Sequence, residues 1–205
     1  MSRPGRAALA GVLSLLAATE GVAGQAWDAP SFFSPRPHDD IGLYGFVPEH
    51  GDWGVQGIWR QSGNLNLGVR AGLGDGLVLV GAEFYGPLRL AAAPVLLAWQ
   101  VGFGAGFNDI TLLRVPVGVS IGLDLTNQGL PQLTPYVFPR AALEVAAWDV
   151  GGEEETDTDL GVAVDVGADL AMTPELTLRA GVTLADRNAF GVGVAYRMQR
   201  RVVVR

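Results

Sequence analysis

The sequence predicts an all-β fold, a closed antiparallel transmembrane β-barrel of about 10 strands with 8 as the alternative. Three observations predict it. Apolar residues recur at every second position between residues 40 and 198. The positions between them hold mostly Gly, Arg, Asp, Glu, Gln or Ser. A short apolar segment with a basic start precedes that region. Period-two alternation marks strands whose two faces meet different surroundings.

Arg3 and Arg6 open the chain, an apolar run follows from Ala7 to Ala18, and Gly21, Val22, Ala23 and Gly24 close it. This is the layout of a cleaved secretion signal. The run is shorter than the ~20 residues a membrane-crossing helix needs. The expected organisation is a signal peptide over 1–24, a periplasmic leader over 25–39, a barrel over 40–198 and a C-terminal tail over 199–205. The first 24 residues carry Arg3, Arg6 and Glu20, so their removal takes the net charge from −7 to −8.

Each strand follows from its own alternation. Two less regular runs, 41–47 and 52–60, come first. In 65–73, Leu65, Leu67, Val69, Ala71 and Leu73 oppose Asn66, Gly68, Arg70 and Gly72. In 77–92, Val78, Val80, Ala82 and Phe84 oppose Gly81, Glu83, Tyr85 and Arg89. In 95–107, Trp99, Val101 and Phe103 oppose Gln100, Gly102 and Gly104. In 111–125, Leu113, Val115 and Val117 oppose Arg114, Gly118, Ser120 and Asp124. In 134–148, Val137, Ala141 and Leu143 oppose Tyr136, Arg140 and Glu144. In 160–170, Val162, Val164 and Val166 oppose Asp165, Gly167 and Asp169. The runs 176–184 and 190–197 set Leu178 and Val182 against Arg179, and Val192 and Val194 against Gly193 and Arg197. Breakers such as Gly74-Asp75-Gly76, Asn108-Asp109, Asn127-Gln128-Gly129 and Asp186-Arg187-Asn188 separate them and suit turns. Residues 88–107 are apolar enough to suggest a membrane helix, but Pro94 and the spaced glycines argue for strand. On this count residues 149–159, with Glu153, Glu154, Glu155, Asp157 and Asp159, form a long acidic outer loop.

Composition narrows the class. There is no Cys, which excludes disulfides, thiolate metal sites and a lipidated N-terminal Cys. All 14 basic residues are Arg, and the acidic balance argues against nucleic acid. Gly is 29 of 205 residues, most of it on the alternate positions, where it leaves room for bulky neighbours inside a narrow barrel. A soluble sandwich would carry many charges on its polar face; here they are sparse. Trp53, Trp59, Phe107, Phe190 and Tyr196 stand near strand ends on the apolar face, as in an interfacial aromatic girdle.

The signal layout and the alternating region together resemble the small bacterial outer-membrane β-barrel superfamily, the OmpA-like and OmpW-like barrels. The resemblance covers nearly the whole chain after residue 24 and is one of pattern, with no invariant motif. It implies outer-membrane lipid and the outer-membrane assembly machinery as partners. Family members commonly end in a strand whose last residue is Phe. This chain instead runs past Tyr196 and Met198 into Gln199-Arg200-Arg201-Val202-Val203-Val204-Arg205.

By parity the lumen-facing charges are Arg60, Arg70, Glu83, Arg89, Arg114, Asp124, Arg140, Glu144, Asp165, Asp169, Arg179 and Arg197. The plain expectation is that they pair across a narrow lumen and fill it; the sharper one is a small pore of mixed charge. Barrels of about 8 strands are filled by side chains, whereas porins have about 16. No catalytic constellation is expected: His38 and His50 both lie off the regular strands, and Ser120 has no His in an adjoining strand. No cofactor and no metal site are expected. The acidic run 153–159 lacks the Gly and the spacing of a calcium loop, and His38-Asp39-Asp40 is too small a set for zinc. The expected role is structural, or a narrow passage for small solutes or apolar molecules. The rival is a secreted soluble β-barrel binding an apolar ligand, in which the apolar face would point inward.

Overall fold

A computed structural model describes residues 29–50, 52–63, 65–74, 77–88, 94–107, 110–125, 132–150, 153–185 and 188–198. The expected signal peptide, the tail 199–205, Arg89 and the turn residues Asp75, Gly76, Asn108, Asp109, Asn127, Asp186 and Arg187 lie outside them. Ten strands follow in order: β1 Asp40–Pro48, β2 Gly54–Gln61, β3 Leu67–Gly74, β4 Leu77–Leu88, β5 Val95–Phe107, β6 Ile110–Leu123, β7 Gln132–Val150, β8 Glu153–Ala171, β9 Leu176–Leu184 and β10 Ala189–Arg197. Each pairs antiparallel with its sequence neighbours, and β1 pairs with β10 from Asp40↔Arg197 to Pro48↔Ala189, which closes the barrel. The starts of β1 and the end of β10 therefore share one rim.

Alternation sorts the residues as the pleat requires. Leu43, 64% exposed, and Val117, 50% exposed, face outward with Val69, Val101, Val166 and Val192. Arg60, Glu83 and Arg179 are buried to within 2% and face inward. Closure satisfies the backbone polar groups of every strand, which a lipid-facing sheet requires.

Proline in a central strand removes a ladder donor, and here Pro116 and Pro139 each meet a gap in the ladder. Pro116 sits where the β5–β6 pairing lapses between Val101↔Val117 and Gly104↔Arg114. Pro139 sits where the β6–β7 pairing lapses between Gly118↔Arg140 and Ile121↔Val137. Both stay paired on the other side, with Ala142 and Val164.

The expected outer loop 149–159 is corrected by the structure. β7 and β8 run on as a hairpin paired up to Val150↔Glu153, joined by residues 151–152. Within that hairpin Asp157 stands opposite Ala146 and Glu155 opposite Trp148, while Asp159 stands opposite Glu144 and Glu154 opposite Asp149. Strand propensity yields to cross-strand context. β8 meets β9 only from Val164↔Leu184 onward, so residues 153–163 stand beyond that part of the wall. The rim opposite the chain ends is joined at 49–53, 75–76, 108–109, 151–152 and 185–188, while the rim of the chain ends carries 62–66, 89–94, 124–131 and 172–175, among them the two longest connections.

Candidate functional site: a lumen filled by the chain itself

Ten strands enclose more room than wall side chains of an eight-stranded barrel would fill. The extra space is taken by residues 29–38, which the sequence assigns to a periplasmic leader and which the structure puts inside the barrel. Phe32 and Phe33 are fully buried there, with Ser31 and Ser34. Phe32 stacks on Tyr44 of β1 at 4.2 Å between ring centroids. Phe33 packs against Phe138 of β7 at 5.3 Å and against Tyr85 of β4 at 5.9 Å. Adjacent residues reach opposite walls because Phe32 bends the chain with φ 49°. That left-handed conformation is rare for a bulky residue and persists only where the surroundings impose it.

Glycines of the wall make room for this segment. A Cβ on Gly191 would lie 2.7 Å from the Phe32 ring, one on Gly122 2.7 Å from Pro35, and one on Gly181 3.3 Å from Pro30. Other lumen glycines accommodate the wall's own aromatics, as Gly167 does for Tyr136 and Gly118 for Phe138.

The charged residues form connected pairs. Glu83 of β4 accepts from Arg60 Nε at 2.6 Å, and also from Arg70 and from Gln100. Arg179 of β9 donates to Asp40 at 2.7 Å, to Asp169 at 3.2 Å and to the Tyr44 hydroxyl at 2.8 Å. Arg140 of β7 donates to Asp165 of β8 at 3.2 Å, and Thr183 donates to the same carboxylate at 2.8 Å. Arg114 and Glu144 pair at 2.9 Å across β6 and β7. Asp124 pairs with Arg36 of the inner segment. Arg197 lies half-buried at the end of β10. Buried charges persist only when paired and hydrogen-bonded; each ion pair above supplies such a contact, while Asp40 Oδ1, Asp169 Oδ1 and Arg197 Nε make no hydrogen bond among the described residues.

The inner segment uses capacity the pairs leave over. Arg60 donates to the carbonyls of Phe32 at 3.0 Å and Ser31 at 3.2 Å. Gln56 donates to the carbonyl of Pro30 at 3.1 Å. Asp165 accepts from the Ser31 amide at 2.9 Å and hydroxyl at 2.6 Å. A cavity of about 30 Å³ remains beside Arg70, Gln100 and Arg114, room on the order of one water.

His38 lies where the segment reaches the rim, half-buried near Arg197, Arg179 and Asp40. Burial, and then the charges of Arg197 and Arg179, lower its pKa to about 4, so the ring is neutral at pH 7. Ser120 is buried in β6. Among the described residues no group of three or more His, Asp or Glu could hold a metal ion.

Sequence parity singled out charged residues of the wall but not the residues that fill the space between them: Phe32, Phe33, Ser31, Gln56 and Tyr44. A signal was available. An exposed leader gains nothing from consecutive Phe flanked by Pro30 and Pro35, so those rings needed a burial site.

No protein-family model matches the chain, and no curated protein does. Among solved structures it is similar to the KdgM porin, at 7% identity and TM-score 0.46, over 78% of this chain and 99% of that one. It is similar to a de novo designed transmembrane β-barrel at 19% identity and TM-score 0.37, over 81% and 100%. It is also similar to the Ail attachment invasion locus protein of Yersinia pestis, at 10% identity and TM-score 0.38, over 80% and 100%. Likeness this distant assigns no role.

Proposed function

We propose that the chain is a bacterial outer-membrane β-barrel whose lumen is closed by paired charges and by its own residues 29–38. Its role is structural or that of a narrow passage. The observation that carries this is the orientation of the two faces: valine and leucine outward around the wall, arginine and carboxylate inward. A soluble barrel that holds an apolar ligand needs the opposite arrangement, because exposed apolar patches of this extent are rare on soluble monomers. The aromatic residues support the same reading. Trp53, Phe107 and Phe190 are exposed towards one rim, and Tyr196 is exposed towards the other, where amphipathic rings favour the membrane–water interface. The partners of this reading are outer-membrane lipid on the apolar face and the assembly machinery that inserts the barrel.

A heat-modifiability gel on isolated outer membranes tests it. The protein is expected in the membrane fraction, migrating faster in SDS before boiling than after. Recovery as a soluble periplasmic protein with no shift would overturn the proposal and favour the ligand-holding barrel.

A further inference from the structure

We propose that residues 29–38 are a displaceable plug, and that the barrel conducts small ions and small uncharged solutes when the plug leaves. This rests on the membrane-barrel reading above and gives its passage a gate.

Apart from Asp124, which pairs with Arg36 of the plug, the ion pairs of the wall do not depend on the plug. Arg60–Glu83, Arg70–Glu83, Arg114–Glu144, Arg140–Asp165, Arg179–Asp40 and Arg179–Asp169 all join strand to strand. Withdrawal of residues 29–38 leaves every one of these in place. What is given up is a set of hydrogen bonds to Arg60, Gln56, Arg140 and Asp165, which water entering the lumen can replace, together with the Arg36–Asp124 pair and the burial of the Phe32 and Phe33 rings, which make the docked arrangement the resting one. The closed state is therefore one of two arrangements the same wall can support.

Plug and wall are also joined in a way that permits movement. The plug forms no strand pairing with the wall among the described residues. It continues into β1 at the rim, through Asp39, whose carbonyl accepts from the Met198 amide at 2.8 Å. At that rim Arg36 pairs with Asp124, at the end of β6, and the two side chains are 25% and 31% exposed. That pair acts as the latch, because water and salt reach it while the inner pairs are sheltered. The bend at Phe32 holds a non-glycine residue in an unfavourable conformation that withdrawal would release. The space vacated runs past Gly181, Gly191 and Gly122, which present no side chain to obstruct it.

The test uses the full chain, purified from membranes and placed in planar bilayers. Wild type is expected to be closed most of the time, with brief conductance steps. Asp124→Arg turns the latch repulsive and should raise the open fraction about tenfold, the factor supplied by losing and reversing one partly exposed ion pair. Pairing it with Arg36→Glu should restore closure. Gly181→Leu puts a side chain where Pro30 sits and should hold the plug out. The heat shift in SDS is read for every protein, so a wild type with no shift refutes the membrane barrel, whereas shifted but silent variants refute the plug alone. Ser34→Cys in the otherwise unaltered chain, which has no Cys of its own, covers the case in which the variants fail to fold. Reaction with an impermeant maleimide faster than global unfolding supports displacement; reaction no faster than unfolding overturns it.

Discussion

At the scale of single residues, Glu83 carries the heaviest obligation in the lumen. Its carboxylate serves Arg60, Arg70 and Gln100 together, and its side chain is 2% exposed. Glu83→Ala leaves one fully buried and one mostly buried arginine without their carboxylate. Removing one partner of a buried pair typically costs about 3–5 kcal/mol, and the expected result is a loss of that order in the unfolding free energy of the refolded barrel, measured by denaturant titration in detergent. An unchanged midpoint would mean that water hydrates the arginines in place. Glu83→Gln should cost less, since an amide oxygen still accepts a hydrogen bond. Such residues were legible from parity alone, because period two fixes which side of the wall a side chain faces. Their partners were not. Arg140 and Asp165 are 25 positions apart, and nothing in a sequence of alternating residues says which strand register brings them together.

At the scale of elements, the strands read through from sequence almost to their ends, since a wall strand here has an apolar outer face and a polar, glycine-rich inner face along most of its length. Where that contrast stops, so did the reading. Residues 155–158 are exposed on both faces of their own strand, and polar residues there look like loop until the partner strand is known. The outward face makes its own prediction. Val117→Arg, mid-strand on β6, should reduce barrel stability by about 2–4 kcal/mol at the bilayer midplane, seen as a lower membrane yield and a lower temperature for loss of the heat shift. The inner segment makes another, in pH. His38 has a folded pKa of about 4, below the ordinary 6.5. Between those values the withdrawn segment binds more protons than the docked one, so docking is fully favoured above pH 6.5 and weakens as pH falls towards 4. Burial drives that shift; Arg197, Arg179 and Arg36 reinforce it and Asp40 opposes it. Conductance or protease access to residues 29–38 should rise over that window in wild type and stay flat in His38→Gln.

At the scale of the whole molecule, closure is what separates a wall from its contents, and two glycines distinguish them experimentally. Gly181 and Gly193 both occupy inner positions of neighbouring strands, β9 and β10. A Cβ on Gly181 meets first Pro30, an atom of the plug, at 3.3 Å, and the wall backbone only at 3.5 Å. A Cβ on Gly193 meets the backbone carbonyl oxygen of Leu43 at 2.2 Å, across the β1–β10 seam. Plug atoms can move away because they pair with no strand. The Leu43 carbonyl cannot, because its strand is held on both sides by β10 and β2. Gly193→Val should therefore pry the seam apart, abolish the heat shift and expose the chain to protease, while Gly181→Leu keeps the shift and changes only the lumen. The same kind of substitution then gives opposite readouts on adjacent strands. If both abolish the shift, residues 29–38 are part of what holds the barrel closed; if neither does, β1 and β10 do not form the seam that completes the ring.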